Sequence, residues 1–311
     1  MKKIILLITI ASLSFSDGKI SGVSYFGYED NFTLSRVYFT YKKSISDDLS
    51  FKFQTDVGKI DDASSDGQDG DVDNDNRWMA FLKKAHIDWK VADKAKISMG
   101  MIGMNMFSVQ EKTWGYRFLR KSAMDKYKFS SSADVGMSIS KDLGFLYTNL
   151  TITNGEGYKE SVVDDNSKIS LQLVHGERRL DKKDGYNVGL AYSTVKDDSD
   201  VETTVIGLFG GWAGNNMRIG AELNTQNVGE ISNQATSIYF NYNINDDFSA
   251  FARQDAYDED IDSNGGDTST MMLGVIWNPT KGLSICPNVI QNTDASDVSE
   301  DSFAIDFQFK F

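Results

Sequence analysis

The chain reads as short stretches of alternating polarity. In "SFKFQTDV" (50–57), Phe51, Phe53, Thr55 and Val57 oppose Lys52, Gln54 and Asp56. In "AHIDWKV" (85–91), Ala85, Ile87, Trp89 and Val91 oppose His86, Asp88 and Lys90. "AKISMGM" (95–101), "KISLQL" (168–173), "YNVGLAY" (186–192), "MRIGAEL" (217–223) and "SIYFNYNI" (237–244) repeat the scheme. Successive side chains of a strand point to opposite faces, so each stretch predicts a two-faced β-strand. No long stretch has a convincing helical period.

About sixteen such segments are predicted, near 19–29, 31–42, 48–58, 78–91, 94–102, 132–141, 143–153, 166–175, 184–194, 201–210, 216–225, 233–244, 247–256, 268–278, 282–291 and 302–311. Those at 31–42, 201–210 and 247–256 alternate poorly, which leaves fourteen or eighteen open. Every second connection is a short turn, such as "VADK", "SKDL" or "NPTKG", with "HGERRLDKKDG" the longer exception. The intervening set holds residues 60–76, 103–131, 154–165 and 256–267, and its one expected short member is Glu29–Asn31. Short turns at one end and long loops at the other are the asymmetry of a closed transmembrane antiparallel barrel, with both termini on the periplasmic side.

Composition decides which face is outside. The apolar parity would pack a core in a soluble sheet, but would meet lipid in a membrane barrel. Residues 1–16, "MKKIILLITIASLSFS", read as an export signal cut after Ser16, leaving 17–311 as a single barrel domain. Loss of Lys2 and Lys3 takes the formal charge from −13 to −15, which disfavours nucleic acid as a partner. Two prolines against 26 glycines suit long strands. Aromatic residues near strand ends (Tyr25, Phe26, Tyr28, Trp78, Trp89, Tyr192, Trp212, Trp277) suit interface girdles. Cys286 is alone, so no intrachain disulfide forms. About sixteen strands enclose an aqueous lumen, which makes transport the leading function.

The stretches "QEKTWGYRFLRKSAMDKYKFSSSADVGMSIS" (110–140), "TNGEGY" (153–158) and "NPTKGLSICPN" (278–288) resemble the phosphate-selective porin O and P-like superfamily of Gram-negative outer-membrane porins. The resemblance implies sixteen strands, a homotrimer and a third long loop folded into the pore. Phe307, Phe309 and Phe311 resemble the signal that outer-membrane proteins present to the barrel assembly machinery. The expected surroundings are outer-membrane lipid and lipopolysaccharide, and the expected cargo is small hydrophilic solutes or anions. No cofactor is expected.

The third loop carries Lys112, Arg117, Arg120, Lys121, Lys126 and Lys128 against Glu111 and Asp125. Folded inward, these cations would favour anions; alternatively they pair with wall carboxylates such as Asp56, Asp88 or Asp134 and only hold the loop. Both readings stay open here. The strand parity assigns Lys52, Asp56, His86, Asp88, Arg218 and Glu222 to the lumen wall. Wall cations alternate with acids and form no arginine ladder, so phosphate specificity does not follow from the residues. Outside, residues 61–76 are rich in aspartate. "DIDSNG" (260–265) places Asp260, Asp262 and Asn264 as in a calcium loop, but Met271 stands at the twelfth position, where a bidentate glutamate is needed. His86 and His175 lie in no hydrolase motif, and no enzymatic activity is expected. The sequence therefore predicts a porin, with a non-transporting adhesin or receptor acting through acidic loops as the alternative.

Overall fold

The computed structural model describes residues 18–59, 78–160, 162, 164–263 and 265–311. The export signal (1–16), the acidic segment 61–76 and Asn264 lie outside the described residues.

Sixteen strands follow in order: β1 (Gly18–Glu29), β2 (Asn31–Ser44), β3 (Leu49–Lys59), β4 (Trp78–Ala92), β5 (Ala95–Gly103), β6 (Ala133–Asp142), β7 (Tyr147–Thr153) and β8 (Lys168–Gly176). The second half comprises β9 (Gly185–Lys196), β10 (Glu202–Gly214), β11 (Met217–Val228), β12 (Ile231–Asn243), β13 (Phe248–Asp258), β14 (Thr268–Thr280), β15 (Leu283–Thr293) and β16 (Ser299–Lys310). Each pairs antiparallel with its chain neighbours, and β1 pairs with β16, so the sheet closes. Closure satisfies every edge, which a lipid-exposed sheet requires. At the seam Phe26 stacks on Phe307 with ring centroids 4.7 Å apart. Gly22 N–H donates to Phe311 O at 3.0 Å, and Phe311 N–H returns the bond to Gly22 O at 3.1 Å.

The apolar parity faces outward. Val135, Met137 and Ile139 on β6, Ile206 and Leu208 on β10, and Ile238 and Phe240 on β12 are all exposed. Their neighbours in the chain, such as Ser140, Val205 and Ser237, are buried inside. Tyr25 departs from the expected girdle: it points inward, is buried, and meets Tyr38 edge-on at 6.1 Å. The reason is parity: along β1 the side chains alternate regularly, so Tyr25 takes the inward side while Phe26 and Tyr28 take the outward one.

Seven connections share one rim, six of them tight; Asn215 and Asn216 form the two-residue turn between β10 and β11, both with positive φ (52° and 63°), the backbone a primed hairpin turn demands. The opposite rim is less uniform than the sequence predicts. Besides residue 30, the connections 197–201, 229–230 and 294–298 are also brief. Strands β11 and β12 run on through "NTQNVGEISNQATS", which is polar apart from Val228, Ile231 and Ala235. Such strands continue above a lipid zone, where alternation is no longer required, and periodicity cannot see them.

The long connection between β5 and β6 folds into the lumen. It holds helices α1 (Ser108–Trp114) and α2 (Ala123–Lys126). Small wall residues Ala191, Val205 and Ala235 leave room for Met106, Phe107, Ala123, Met124 and Phe129, which are buried against them. The barrel thus carries an apolar core inside its lumen as well as an apolar surface outside.

Candidate functional site: a divided lumen with a cationic wall

The inward loop is held at both of its helices. Helix α1 ends at Gly115, whose φ of 79° is left-handed and whose missing side chain leaves space for Arg218. Arg218 Nη2 donates to Trp114 O at 3.0 Å and Asn241 Nδ2 to the same oxygen at 3.2 Å. Trp114 is fully buried between Tyr239 and Phe251, with its Nε1–H on Arg120 O at 2.9 Å. Helix α2 begins at Ala123, whose N–H donates to Glu222 Oε1 at 2.8 Å. Phe118 reaches across to Tyr25 on the far wall, 6.5 Å between rings. The loop therefore spans the lumen from β11–β13 to β1–β2.

The loop's cations divide into two groups. Arg117 pairs with Glu111 and Asp125, each at 3.2 Å, inside the loop itself. Burial works against its charge, but the Asp125 and Glu111 carboxylates outweigh that and favour the protonated guanidinium. Arg120 pairs with Asp255 of β13, which Arg253 Nε also contacts at 2.8 Å. Arg253 in turn lies 4.7 Å from the centre of the Trp114 ring. The carboxylates that these two arginines engage are thus Glu111, Asp125 and Asp255, and not Asp56, Asp88 or Asp134, because the loop leans on the small-residue wall. Lys121 is half-buried and carries a contact of its own, as does exposed Lys126; Lys128 is exposed at a φ of 61°. Lys112 stands apart, facing a cavity.

That cavity, of about 630 Å³, lies between α1 and strands β1–β8 towards the turn rim. Its lining holds eight cations and one carboxylate, Asp88. Register explains the concentration: Lys19 directly opposes Lys42, Lys42 opposes Lys52, and Lys52 opposes His86, so four adjacent strands set a basic row at one level. A register shift between Gln54 and Thr55 turns both Lys83 and Lys84 inward. Lys83 joins Arg36 on Asp56, at 3.3 and 3.2 Å, and Tyr158 O–H completes that cluster. Lys96 takes Asp88 at 3.0 Å, and His86 Nδ1 lies 3.0 Å from Met101 O. Among the described residues Lys42, Lys52, Lys84 and Lys112 form no ion pair. Burial, then Arg179 and Arg178, pushes the Lys112 ammonium down to about 8.

The sequence reading overlooked this row. Lys19, Lys42 and Lys96 look isolated along the chain, and only the pairing of successive hairpins lines them up. It also passed over the β8–β9 connection (177–184), which folds inward instead of hugging the rim. Leu180 is buried, Thr113 and Leu180 converge over Gly211, and Asn187 Nδ2 bridges Thr113 Oγ1 and Glu177 O at 3.2 and 2.9 Å. Arg179 clamps Asp181 through two bonds of 2.8 and 2.7 Å. The length of this one turn was the only signal.

At the loop rim, Asp260 accepts bonds from Ser263 Oγ at 2.6 Å and Asp262 N at 3.3 Å. Among the described residues no cluster of three metal-ligating side chains forms.

No protein-family model matches the chain, and no curated protein matches its sequence. Solved structures do match. The barrel is similar to outer-membrane-expressed OmpT of Vibrio cholerae, with a TM-score of 0.63 at 12% identity, covering 94% of this chain and 97% of that one. It is similar to an anion-selective porin from Comamonas acidovorans, with a TM-score of 0.65 at 10% identity, covering 95% and 99%. It is similar to OmpF of Salmonella typhi, with a TM-score of 0.65 at 14% identity, covering 94% and 97%. The chain has the fold of the sixteen-stranded outer-membrane porins.

Proposed function

We propose that this chain is a passive diffusion channel of a Gram-negative outer membrane, porin-like in function as in fold, with a mild preference for anions. The supporting observation is the row Lys19–Lys42–Lys52. Like charges placed directly opposite on a sheet cost stability, and no carboxylate among the described residues forms an ion pair with Lys42 or Lys52. A wall that retains such a cost gains from an anion passing in front of it. On this reading selection lies with the wall lysines and Lys112, while Arg117 and Arg120 hold the loop.

The turn rim then faces the periplasm and the loop rim the cell exterior, with lipid and lipopolysaccharide around the apolar belt. Phe307, Phe309 and Phe311 serve as the signal to the assembly machinery. A homotrimer fits the fold, and OmpT of Vibrio cholerae has been described in a trimer form. Phosphate is carried only as one of the anions admitted. Planar-bilayer recording tests the reading: the channel conducts, and in a salt gradient its reversal potential takes the sign of anion flow. A purified, folded barrel without conductance would sink it in favour of a surface adhesin or receptor.

A further inference from the structure

A second cavity, of about 530 Å³, opens on the same rim beneath the other side of the inward loop. The two are separated by segments that present residues to both sides. On the loop, Lys112 lines the first cavity while Gly115 and Tyr116 line the second, with buried Trp114 between them. On the inward turn, Arg178 lines the first while Asp181 and Lys182 line the second, with buried Leu180 between. Asn187 joins the two segments through Thr113 Oγ1 and Glu177 O. Loop and turn therefore meet as a septum.

The cavities differ in chemistry. The first is overwhelmingly cationic. The second sets Asn216, Asn243, Asn245 and Asn278 beside Ser249 and Ser284. Its charges nearly cancel: Asp181 and Asp246 stand against Lys182, Arg218 and Lys310. Amides and hydroxyls exchange hydrogen bonds with hydroxylated solutes as water does, without favouring either ionic sign. Resting on the porin reading, we infer that the septum splits the turn-rim half of the lumen into two routes, a cationic one for anions and an amide-lined one for uncharged polar solutes such as small sugars.

Thiol labelling after membrane insertion tests this on protein already folded. Cys286 is buried, and Cys286→Ala gives a thiol-free background. Ser138→Cys places a thiol in the first cavity and Ser249→Cys one in the second, and both are treated with the same bulky uncharged methanethiosulfonate. Reversal potential and sugar-driven liposome swelling are read before and after. Labelling at 138 is expected to move the reversal potential towards zero and leave swelling unchanged. Labelling at 249 is expected to cut swelling about two-fold, the effect of narrowing a single route, and leave the reversal potential in place. If both readouts move together at either site, the lumen is one passage and the partition is wrong. If labelling at 249, verified by mass, moves neither, the second cavity is a dead end and the inference fails. A barrel that conducts nothing before labelling overturns the porin reading, and this inference with it.

Discussion

Reversing Lys52 and Lys84 to glutamate changes the lining of the cationic cavity by four charge units. A cavity of about 630 Å³ keeps a passing ion within about 8 Å of these side chains. At that distance one unit charge is worth about 0.5 kcal/mol in water, and one Debye length of screening leaves about 0.2 kcal/mol. Four units then amount to about 0.8 kcal/mol for a univalent ion. The term has opposite sign for anion and cation, so their permeability ratio should fall by about 1.5 kcal/mol, roughly tenfold. The neutral pair Lys52→Gln with Lys84→Gln removes two units and should give about threefold. Reversal potentials across a gradient near 0.1 M salt measure both. At 1 M salt, where screening acts within about 3 Å, the shifts should largely vanish. A double reversal that moves the ratio by less than about two-fold at low salt, or equally at high salt, would refute the electrostatic argument.

Three further outcomes follow from the same geometry. Lys112 is protonated below a pKa pushed down to about 8, so anion preference should weaken as pH rises from about 7 to 9, and Lys112→Met should reduce that dependence, leaving the share of the other lysines in the lining; an unchanged titration in the variant assigns it wholly elsewhere. Asp255→Asn leaves Arg120 and Arg253 without their shared carboxylate, and loss of one side of a buried pair costs about 3–5 kcal/mol, enough to loosen the inward loop. Single-channel noise should rise while the folded barrel keeps its heat-modifiable gel mobility; quiet currents would show that the pair is dispensable. Phe307→Asp puts a carboxylate on the lipid face at the seam and should lower the yield of inserted barrel, whereas Gln308→Asp on the inner face should be tolerated; equal yields would contradict the assignment of faces.

Fold and site were legible to different depths, for a physical reason. Period-two alternation is local, so all sixteen strands could be read from the chain, even β2, β10 and β13, where alternation is poor. Strand ends were less legible where β11 and β12 rise beyond the belt that enforces alternation. The site depends on lateral register and on chain that leaves the wall, and neither is a local property. Arg117 and Arg120 stood out because they cluster in sequence, yet they spend their charge on Glu111, Asp125 and Asp255. Lys42 and Lys52 are ten residues apart and become neighbours only once the β2–β3 hairpin is closed in register. The shift that sends both Lys83 and Lys84 inward breaks the very alternation by which strands are recognised.

The apolar core inside the lumen has a consequence for assembly order. Phe118, carried on the inward loop, packs against Tyr25 of β1, a strand of the closing seam, in a cluster that also holds Tyr38 of β2. The loop and the inward turn are enclosed once β1 meets β16, so their docking and the last zipping step share contacts. Closure then acts as a checkpoint on the contents: a barrel whose loop lies outside lacks part of the surface its seam strands pack on. Trp114→Ala should therefore delay the compact, heat-resistant species during refolding into detergent; an unchanged rate would mean that the wall closes first and fills afterwards.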